Sequence, residues 1–336
     1  VTWFAAVSGD WNPVHVDYVH ARRLLTGKLV VHGIFTLLWV LEKYSTEIGE
    51  PVVSIAANFL QPVGVGDQLV LIKEEAELNC VRFAIRCNGD NVLSVLLTIG
   101  GKHNDALPHA VRPSCINADD NSFSELKNSA GIISVMALQA DLLQEFPNAE
   151  RVLGGMTIAS LLALSRLVGM TCPGLHSLFT GLDIQLAPSK TASEINWSVT
   201  RHSVSHAPLR LSLDGAGISG HLDAFVRPAP IKQIEIKEVA KAVKPMVFNE
   251  QVALIVGGSR GLGELTAKIV SAGGGQAVIT YHRGTDDAER VVGEIVEWGG
   301  RSSAIKLDVA QPHSAIENLT KQGIIPTHIY YFASPR

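Results

Sequence analysis

Two stretches of the chain share one layout of apolar and polar positions. The segment from Gly33-Ile34-Phe35-Thr36-Leu37-Leu38 to Gly49-Glu50-Pro51 is an apolar helix pattern entered by glycine and left near proline, and so is the segment from Gly155-Met156-Thr157-Ile158-Ala159-Ser160 to Cys172-Pro173. Each is followed by four strand-like runs separated by Gly, Asp and Asn. After the first helix the runs are 52–60, 68–76, 81–87 and 92–99; after the second they are 177–186, 193–201, 209–213 and 218–225. An internal repeat, long helix then antiparallel strands, therefore organises the first two thirds. The longest apolar run, Val152 to Ser165, stops at Arg166 and falls short of the ~20 residues of a spanning helix, so it predicts a buried core helix and no membrane span.

The pattern then changes. Arg227-Pro228-Ala229-Pro230 closes the repeat, and 232–244 is charged and weakly periodic, as in a connector or short helix. Val252-Ala253-Leu254-Ile255-Val256 predicts a buried strand. Gly257-Gly258-Ser259-Arg260-Gly261-Leu262-Gly263 follows it and opens a helix expected near Glu264, with a second strand over 276–281. Glycines at such a turn let backbone N–H groups approach a pyrophosphate.

The polar residues that stand out lie before the first helix. Phe4-Ala5-Ala6-Val7-Ser8-Gly9-Asp10-Trp11-Asn12-Pro13-Val14-His15-Val16-Asp17 places an acid, an amide and an imidazole around a turn-forming Asn-Pro, and Val30-Val31-His32-Gly33 brings the helix close behind. A carboxylate beside an imidazole is a proton-transfer pair near neutral pH if both reach one reacting centre. Ser8, Asp10 and Asn12 equally suit a turn whose side chains bond local N–H groups, and spacing alone leaves the two readings evenly balanced.

This segment resembles the signature of the MaoC-like, R-specific enoyl-CoA hydratases, F-A-x-x-S-G-D-x-N-P-x-H-x-D followed by V-H-G. The resemblance continues through Asn58-Phe59-Leu60-Gln61-Pro62-Val63 and Val65-Gly66-Asp67, covering roughly the first hundred residues. It implies that Asp10 and His15 activate water, that Asn12 orients them, and that the Gly33 N–H polarises a thioester carbonyl. The last role suits the partnerless N–H groups at a helix start. With the repeat, the implied fold is an α+β double hot dog, a long helix wrapped by antiparallel sheet in two copies. The second copy reads Gln139-Ala140-Asp141-Leu142-Leu143-Gln144-Glu145-Phe146-Pro147 before its helix, with no equivalent of the polar signature, and is expected to be catalytically silent. Its expected task is to complete the first copy's interface and an acyl tunnel. Asp141 and Glu145 are expected on a solvated helix surface, and His202 and His206 lack a third ligand candidate nearby.

The 249–336 region resembles the opening half of the short-chain dehydrogenase/reductase family, a partial α/β Rossmann-type domain, with Val256 where that family's turn usually begins with threonine. The resemblance assigns the cofactor to Gly257, Ser259, Arg260, Gly261, Leu262, Gly263, Arg283, Asp308 and Val309. The second strand ends in Tyr281-His282-Arg283 without an acid for a ribose 2′-hydroxyl, while Arg260 and Arg283 suit a 2′-phosphate, so NADP is expected over NAD. Tyr330-Tyr331-Phe332-Ala333-Ser334 resembles that family's fourth strand. The family's catalytic Ser and Y-x-x-x-K lie beyond Arg336. With Val1-Thr2-Trp3 at the other end and no initiator Met, the chain is expected to be a fragment cut at both ends.

Composition narrows the setting. With 336 residues, 46% of them hydrophobic and 18% charged, more than one core is expected. A net charge of −4 and no basic run argue against nucleic-acid and membrane-surface partners. Cys80, Cys87, Cys115 and Cys172 lack metal or disulfide spacing, which suits a reducing cytoplasm and no metal centre. The expected organisation is a catalytic hot dog over 1–112, a second over 113–230, a linker over 231–248 and the truncated nucleotide domain over 249–336. The expected activity is reversible hydration of trans-2-enoyl thioesters of coenzyme A or an acyl carrier protein, coupled in a parent protein to a 3-ketoacyl reductase; self-association stays open. The alternatives are a dehydratase-ketoreductase cassette of a polyketide or fatty-acid synthase, and a non-catalytic acyl-binding scaffold.

Overall fold

The computed structural model describes residues 1–336 except 22, 25–26, 46–49, 75–78, 102–110, 112, 137–144, 188–192, 202–207, 230–231, 312–316, 318, 322 and 334–336. The chain divides into two compact units, Val1–Ala229 and Pro230–Arg336.

Unit one opens with short helices α1 (Thr2–Ser8), α2 (Pro13–Val16) and α3 (Tyr18–Ala21), and then the long helix α4 (Gly33–Tyr44). Strands β1 (Val52–Phe59), β2 (Leu69–Glu74), β3 (Cys80–Cys87) and β4 (Asp90–Ile99) follow, as the sequence pattern predicts. A strand the pattern did not reveal, β5 (Ala130–Ser134), precedes the second copy. That copy holds α5 (Pro147–Leu153), α6 (Gly155–Arg166), and β6 (Ser177–Leu186), β7 (Glu194–Arg201), β8 (Leu209–Gly215) and β9 (Ile218–Val226).

The nine strands among the described residues form one antiparallel sheet in the order β2-β3-β4-β1-β6-β9-β8-β7-β5. Within each copy the order is the same, mirrored about the β1–β6 junction. There Ile55 faces Ile184 and Asn58 faces Gly181. Joining the copies satisfies the backbone groups that an open edge would leave unpaired. Helix α4 packs on α5 and α6, and one apolar cluster runs from Leu37, Leu38 and Leu41 through Ile55 and Phe83 to Leu161, Leu164 and Ile184.

The run Val152–Ser165 is not one helix. It breaks at Gly154, whose φ of +78° lets α5 and α6 meet at 104°. All twelve residues of α6 are buried, because it lies between the other helices and the sheet. Among the described residues no single helix is long and apolar enough to cross a membrane. Helix α6 continues into a π-helical turn, Leu167–Thr171, which widens the backbone beside the Asp10 segment.

Unit two has a parallel sheet in the order β12-β11-β10-β13, from β10 (Val252–Val256), β11 (Gln276–Tyr281), β12 (Arg301–Lys306) and β13 (His328–Tyr331). Helices α8 (Gly261–Ala272) and α9 (Thr285–Glu297) connect the strands. The charged segment before β10 carries α7 (Ile236–Ala242), whose Ile236 and Val239 belong to this unit's core. Lys268 fastens it: fully buried, its Nζ sits 2.9 Å from both Glu264 Oε1 and Glu294 Oε2 and donates to the Ile234 carbonyl at 2.8 Å. Glu294 accepts the Ile236 N–H at 2.7 Å. The residues expected as linker are thus built into the nucleotide-type unit.

Candidate active site

The segment after α1 does build the turn that its Asx and Ser residues suggest. Ser8 Oγ donates to the Phe4 carbonyl at 2.7 Å and accepts the Asp10 N–H at 3.1 Å. Asn12 Oδ1 accepts the Val14 N–H at 3.1 Å and caps α2, with Pro13 at its first position. The other end of Asn12 departs from expectation. Its Nδ2 donates to the carbonyls of Gly169 (2.8 Å), Gly174 (3.2 Å) and Leu175 (3.3 Å), all in the second copy, rather than to Asp10 or His15. Asn12 therefore pins the loop across the repeat; only its backbone N–H reaches Asp10 Oδ1, at 3.3 Å.

Asp10 and His15 do come together, with Nε2 of His15 3.9 Å from Oδ2 of Asp10. The Val30 carbonyl lies 2.7 Å from His15 Nδ1, so that nitrogen carries the proton and Nε2 presents a lone pair toward Asp10. His32, within the Val31-His32-Gly33 part of the motif, completes the group. It is buried, its ring stacks on His15 with centroids 3.7 Å apart and 22° between planes, and its Nε2 lies 3.0 Å from the Asp10 carbonyl. The Phe4 ring packs on it, centroids 4.8 Å apart. Gly33 follows as the first residue of α4, its N–H among those a helix leaves without internal partners.

The second copy supplies the other wall. Ser165 Oγ donates to Asp10 Oδ2 at 2.7 Å. Arg166 bonds the carbonyls of Ser8 and Ser134, tying the loop to β5. Gly169 has no room for a side chain, since a Cβ there would stand 2.1 Å from Asp10 Oδ1. None of these was singled out from the sequence. The signal that could have found them is the small-residue spacing of Ser165 and Gly169, one turn apart on the apolar helix.

Burial sets the electrostatics. It pushes the Asp10 carboxyl above the usual carboxylate range, against the pull of His15, Ser165, the Asn12 N–H and Arg166. It pulls His15 below the ordinary imidazole value against the opposing charge of Asp10, and it pulls His32 well below. Acid and base are each biased toward the neutral form.

Asp10, His15 and His32 place ligand-type atoms within 4.8 Å of one another. Metal ligation suits them poorly: a carbonyl accepts the His32 Nε2 proton, so that nitrogen has no lone pair to give, and the stacked rings hold their in-plane lone pairs in separate, nearly parallel planes. The group opens on a cavity of about 850 Å³, its mouth included, lined by Asp10, His15 and Gly33, by apolar Phe59, Val63 and Val92, and by Ser165, Gly169 and the Ser177–Thr180 run of β6.

In unit two, Gly257, Ser259, Arg260, Gly261, Leu262 and Gly263 form the turn from β10 into α8, which starts at Gly261 rather than near Glu264. A Cβ on Gly263 would stand 2.3 Å from the Gly257 carbonyl oxygen, so the turn closes only with glycine there. Val256 leaves no hydroxyl, and Thr280 of β11 supplies one: its Oγ1 accepts the Gly257 N–H at 3.1 Å. Arg283 follows β11, and Asp308 and Val309 follow β12, so all these residues gather at the carboxyl ends of the parallel strands. Asp308 Oδ2 lies 3.8 Å from His282 Nε2. Asp141, His202, His206 and Ser334 lie outside the described residues.

Residues 1–92 match the family described as MaoC like domain, and residues 251–324 match short chain dehydrogenase. The chain thus carries a MaoC-like dehydratase domain at its N-terminal end and a short-chain dehydrogenase region at its C-terminal end. The 3-hydroxybutyryl-CoA dehydratase of Methylorubrum extorquens is 33% identical over 101 residues, which are 28% of this chain and 64% of that protein. The 3-oxoacyl-[acyl-carrier-protein] reductase of a Synechocystis species is 42% identical over 63 residues, which are 19% of this chain and 26% of that protein. Among solved structures, the dehydratase domain of a mycocerosic acid synthase-like polyketide synthase aligns over 68% of this chain and 87% of that one, at 10% identity and a TM-score of 0.36.

Proposed function

We propose that unit one catalyses the reversible hydration of trans-2-enoyl thioesters, which in reverse is the dehydration of (R)-3-hydroxyacyl thioesters. The observation that carries this reading is the juxtaposition, in one largely apolar cavity, of the His15 lone pair, the Asp10 carboxyl and the first N–H of α4. In the dehydration direction His15 Nε2 takes the C2 proton, and the C2–H electron pair moves toward the thioester carbonyl, whose oxygen the Gly33 N–H stabilises. The C3–O bond then breaks as Asp10 gives its proton to the departing hydroxyl, releasing water.

The test is the change in enoyl-thioester absorbance when short and medium enoyl-CoA substrates are added. Asp10→Asn and His15→Gln are each expected to lower kcat on the order of 10²- to 10⁴-fold. No turnover by the intact protein, or unchanged turnover in both variants, sinks the assignment.

Unit two is read as binding NADP. The cofactor's chemistry is hydride transfer; the residues that would hold it are the Gly257–Gly263 turn with the α8 N-terminus for the pyrophosphate, and Arg260 and Arg283 for a 2′-phosphate. The fit rests on Gly263, where only glycine lets the turn close, and on the absence of an acid at the end of β11. Titration with NADPH and NADH separately is expected to show tighter NADPH binding; the opposite order refutes the arginine argument. A ketoreductase would make the 3-hydroxyacyl group that unit one dehydrates.

A further inference from the structure

Several buried side-chain polar atoms have no hydrogen-bond partner among the described residues, and three of them, His20 Nε2, His176 Nδ1 and Arg227 Nη1, belong to one neighbourhood beside the cavity. The Arg227 N–H donates to the His176 carbonyl at 2.7 Å. Its Nη2 donates to the Leu175 carbonyl at 3.1 Å, an oxygen that also receives Asn12 Nδ2, and its Nε donates to the Ser177 carbonyl at 3.3 Å. His20 feels the charges of both Arg227 and His176.

These contacts hold the start of β6 in place, yet they use only two edges of the guanidinium. The third is left unmatched on a group that is always charged. Its neighbours are carbonyls rather than carboxylates, and burial alone pulls Arg227 below its ordinary value, with no acid to offset it. The nearby acids are engaged elsewhere: Asp120 Oδ1 lies 3.2 Å from His176 Nε2, on the opposite side of that ring from Nδ1, and Asp17 accepts the N–H groups of Val19 and His20. Arg227 is half-buried, a polar atom shut away from solvent without a partner is costly, and an anion would match both the charge and the open edge.

The position says which anion. Ser177 to Thr180 line the cavity, with Phe179 packed on Phe59 further along and Ser177, held by Arg227, at the beginning. On the dehydratase reading, on which this inference rests, the reacting carbonyl and hydroxyl go to Gly33, His15 and Asp10, and the apolar wall takes the acyl chain. What is left of any such substrate is the pantetheine arm, with two neutral amides and then a phosphate. We propose that Arg227, flanked by His20 and His176, binds the phosphate of that arm as the arm leaves the cavity. Coenzyme A and a carrier protein's prosthetic arm share this phosphate, so the site takes either source.

Binding, not turnover, tests it. Dissociation constants are measured by calorimetry for the saturated, unreactive S-butyryl-phosphopantetheine and for S-butyryl-pantetheine, which lacks the phosphate. The intact protein is expected to bind the phosphorylated arm at least about tenfold tighter, which is roughly 1.4 kcal/mol. Arg227→Met is expected to erase the difference between the two arms, and Arg227→Lys, which keeps the charge, to retain part of it. Equal binding of the two arms by the intact protein, or a difference that survives both substitutions, overturns the proposal. So does an Arg227 effect confined to substrates with a carboxylate on the acyl chain. Should Arg227→Met fail to fold, the preference of the intact protein and its reduction in Arg227→Lys decide the matter. S-butyryl-CoA and the butyryl carrier protein then identify the source, whichever binds tighter than phosphopantetheine alone. An inactive protein that still prefers the phosphorylated arm would refute the dehydratase reading and leave the phosphate site standing.

Discussion

At the scale of single residues, the site is held by groups that do no chemistry. Gly169 is the sharpest case: any side chain would occupy the space of the Asp10 carboxylate. Gly169→Ala is expected to displace Asp10 and to lower kcat/KM on the order of a hundredfold, since displacement of a reacting group by about 1 Å has that cost. Circular dichroism should report a folded protein. His32 makes a second expectation, on stability. In the unfolded chain it titrates near its ordinary value, and in the folded chain burial holds it well below. Between those two values the unfolded state binds more protons, so this contribution is present above pH 6.5 and is lost as pH falls toward the folded value. The urea midpoint of unit one is expected to drop on acidification below that point, and His32→Phe, which keeps a ring on His15 and cannot charge, to flatten the drop. An unchanged acid dependence in His32→Phe would assign the effect to another group.

At the scale of elements, a few side chains fasten the two copies of the repeat to each other. Glu42 of α4 accepts the Asn148 and Ala149 N–H groups, each at 2.9 Å, and Asn148 Nδ2 at 2.7 Å, capping α5 from the other copy. Arg151 returns a bond to the Ser45 carbonyl at 2.8 Å. Glu42→Ala leaves three donors without their acceptor and is expected to cost about 1–3 kcal/mol in denaturant unfolding. A loss below a few tenths would mean that water replaces the carboxylate. The strand runs were legible because apolar residues recur on one face and turn residues separate them. Strand β5 was not: Ala130-Gly131-Ile132-Ile133-Ser134 is short, and the exposed Ile132 beside the buried Ile133 hides its alternation in the sequence.

At the scale of the whole chain, the proposed site of unit one is completed by residues about 155 positions away, since Ser165, Gly169 and the carbonyls that seat Asn12 all come from the second copy. A polypeptide ending at residue 112 is expected to show no hydratase activity and no cooperative unfolding, whereas one ending at 229, the limit of the compact unit, is expected to retain both. Turnover by the shorter form would show that the first copy builds its pocket alone, for example by pairing with itself.

The sequence by itself determined the local features. These are the helix and strand runs, the repeat, the polar segment with Asp10 and His15, and the glycine turn of unit two; each follows from neighbouring residues whose spacing fixes a face or a backbone conformation. The tertiary structure decided what meets across distance. It turned Asn12 from an orienting group into a clasp, gave His32 a ring to stack on, set Ser165 and Gly169 against a carboxylate, and left one edge of Arg227 uncompensated. Beyond the small-residue spacing of Ser165 and Gly169, no local pattern encodes these, because burial and hydrogen bonding between remote segments exist only once both copies share a sheet.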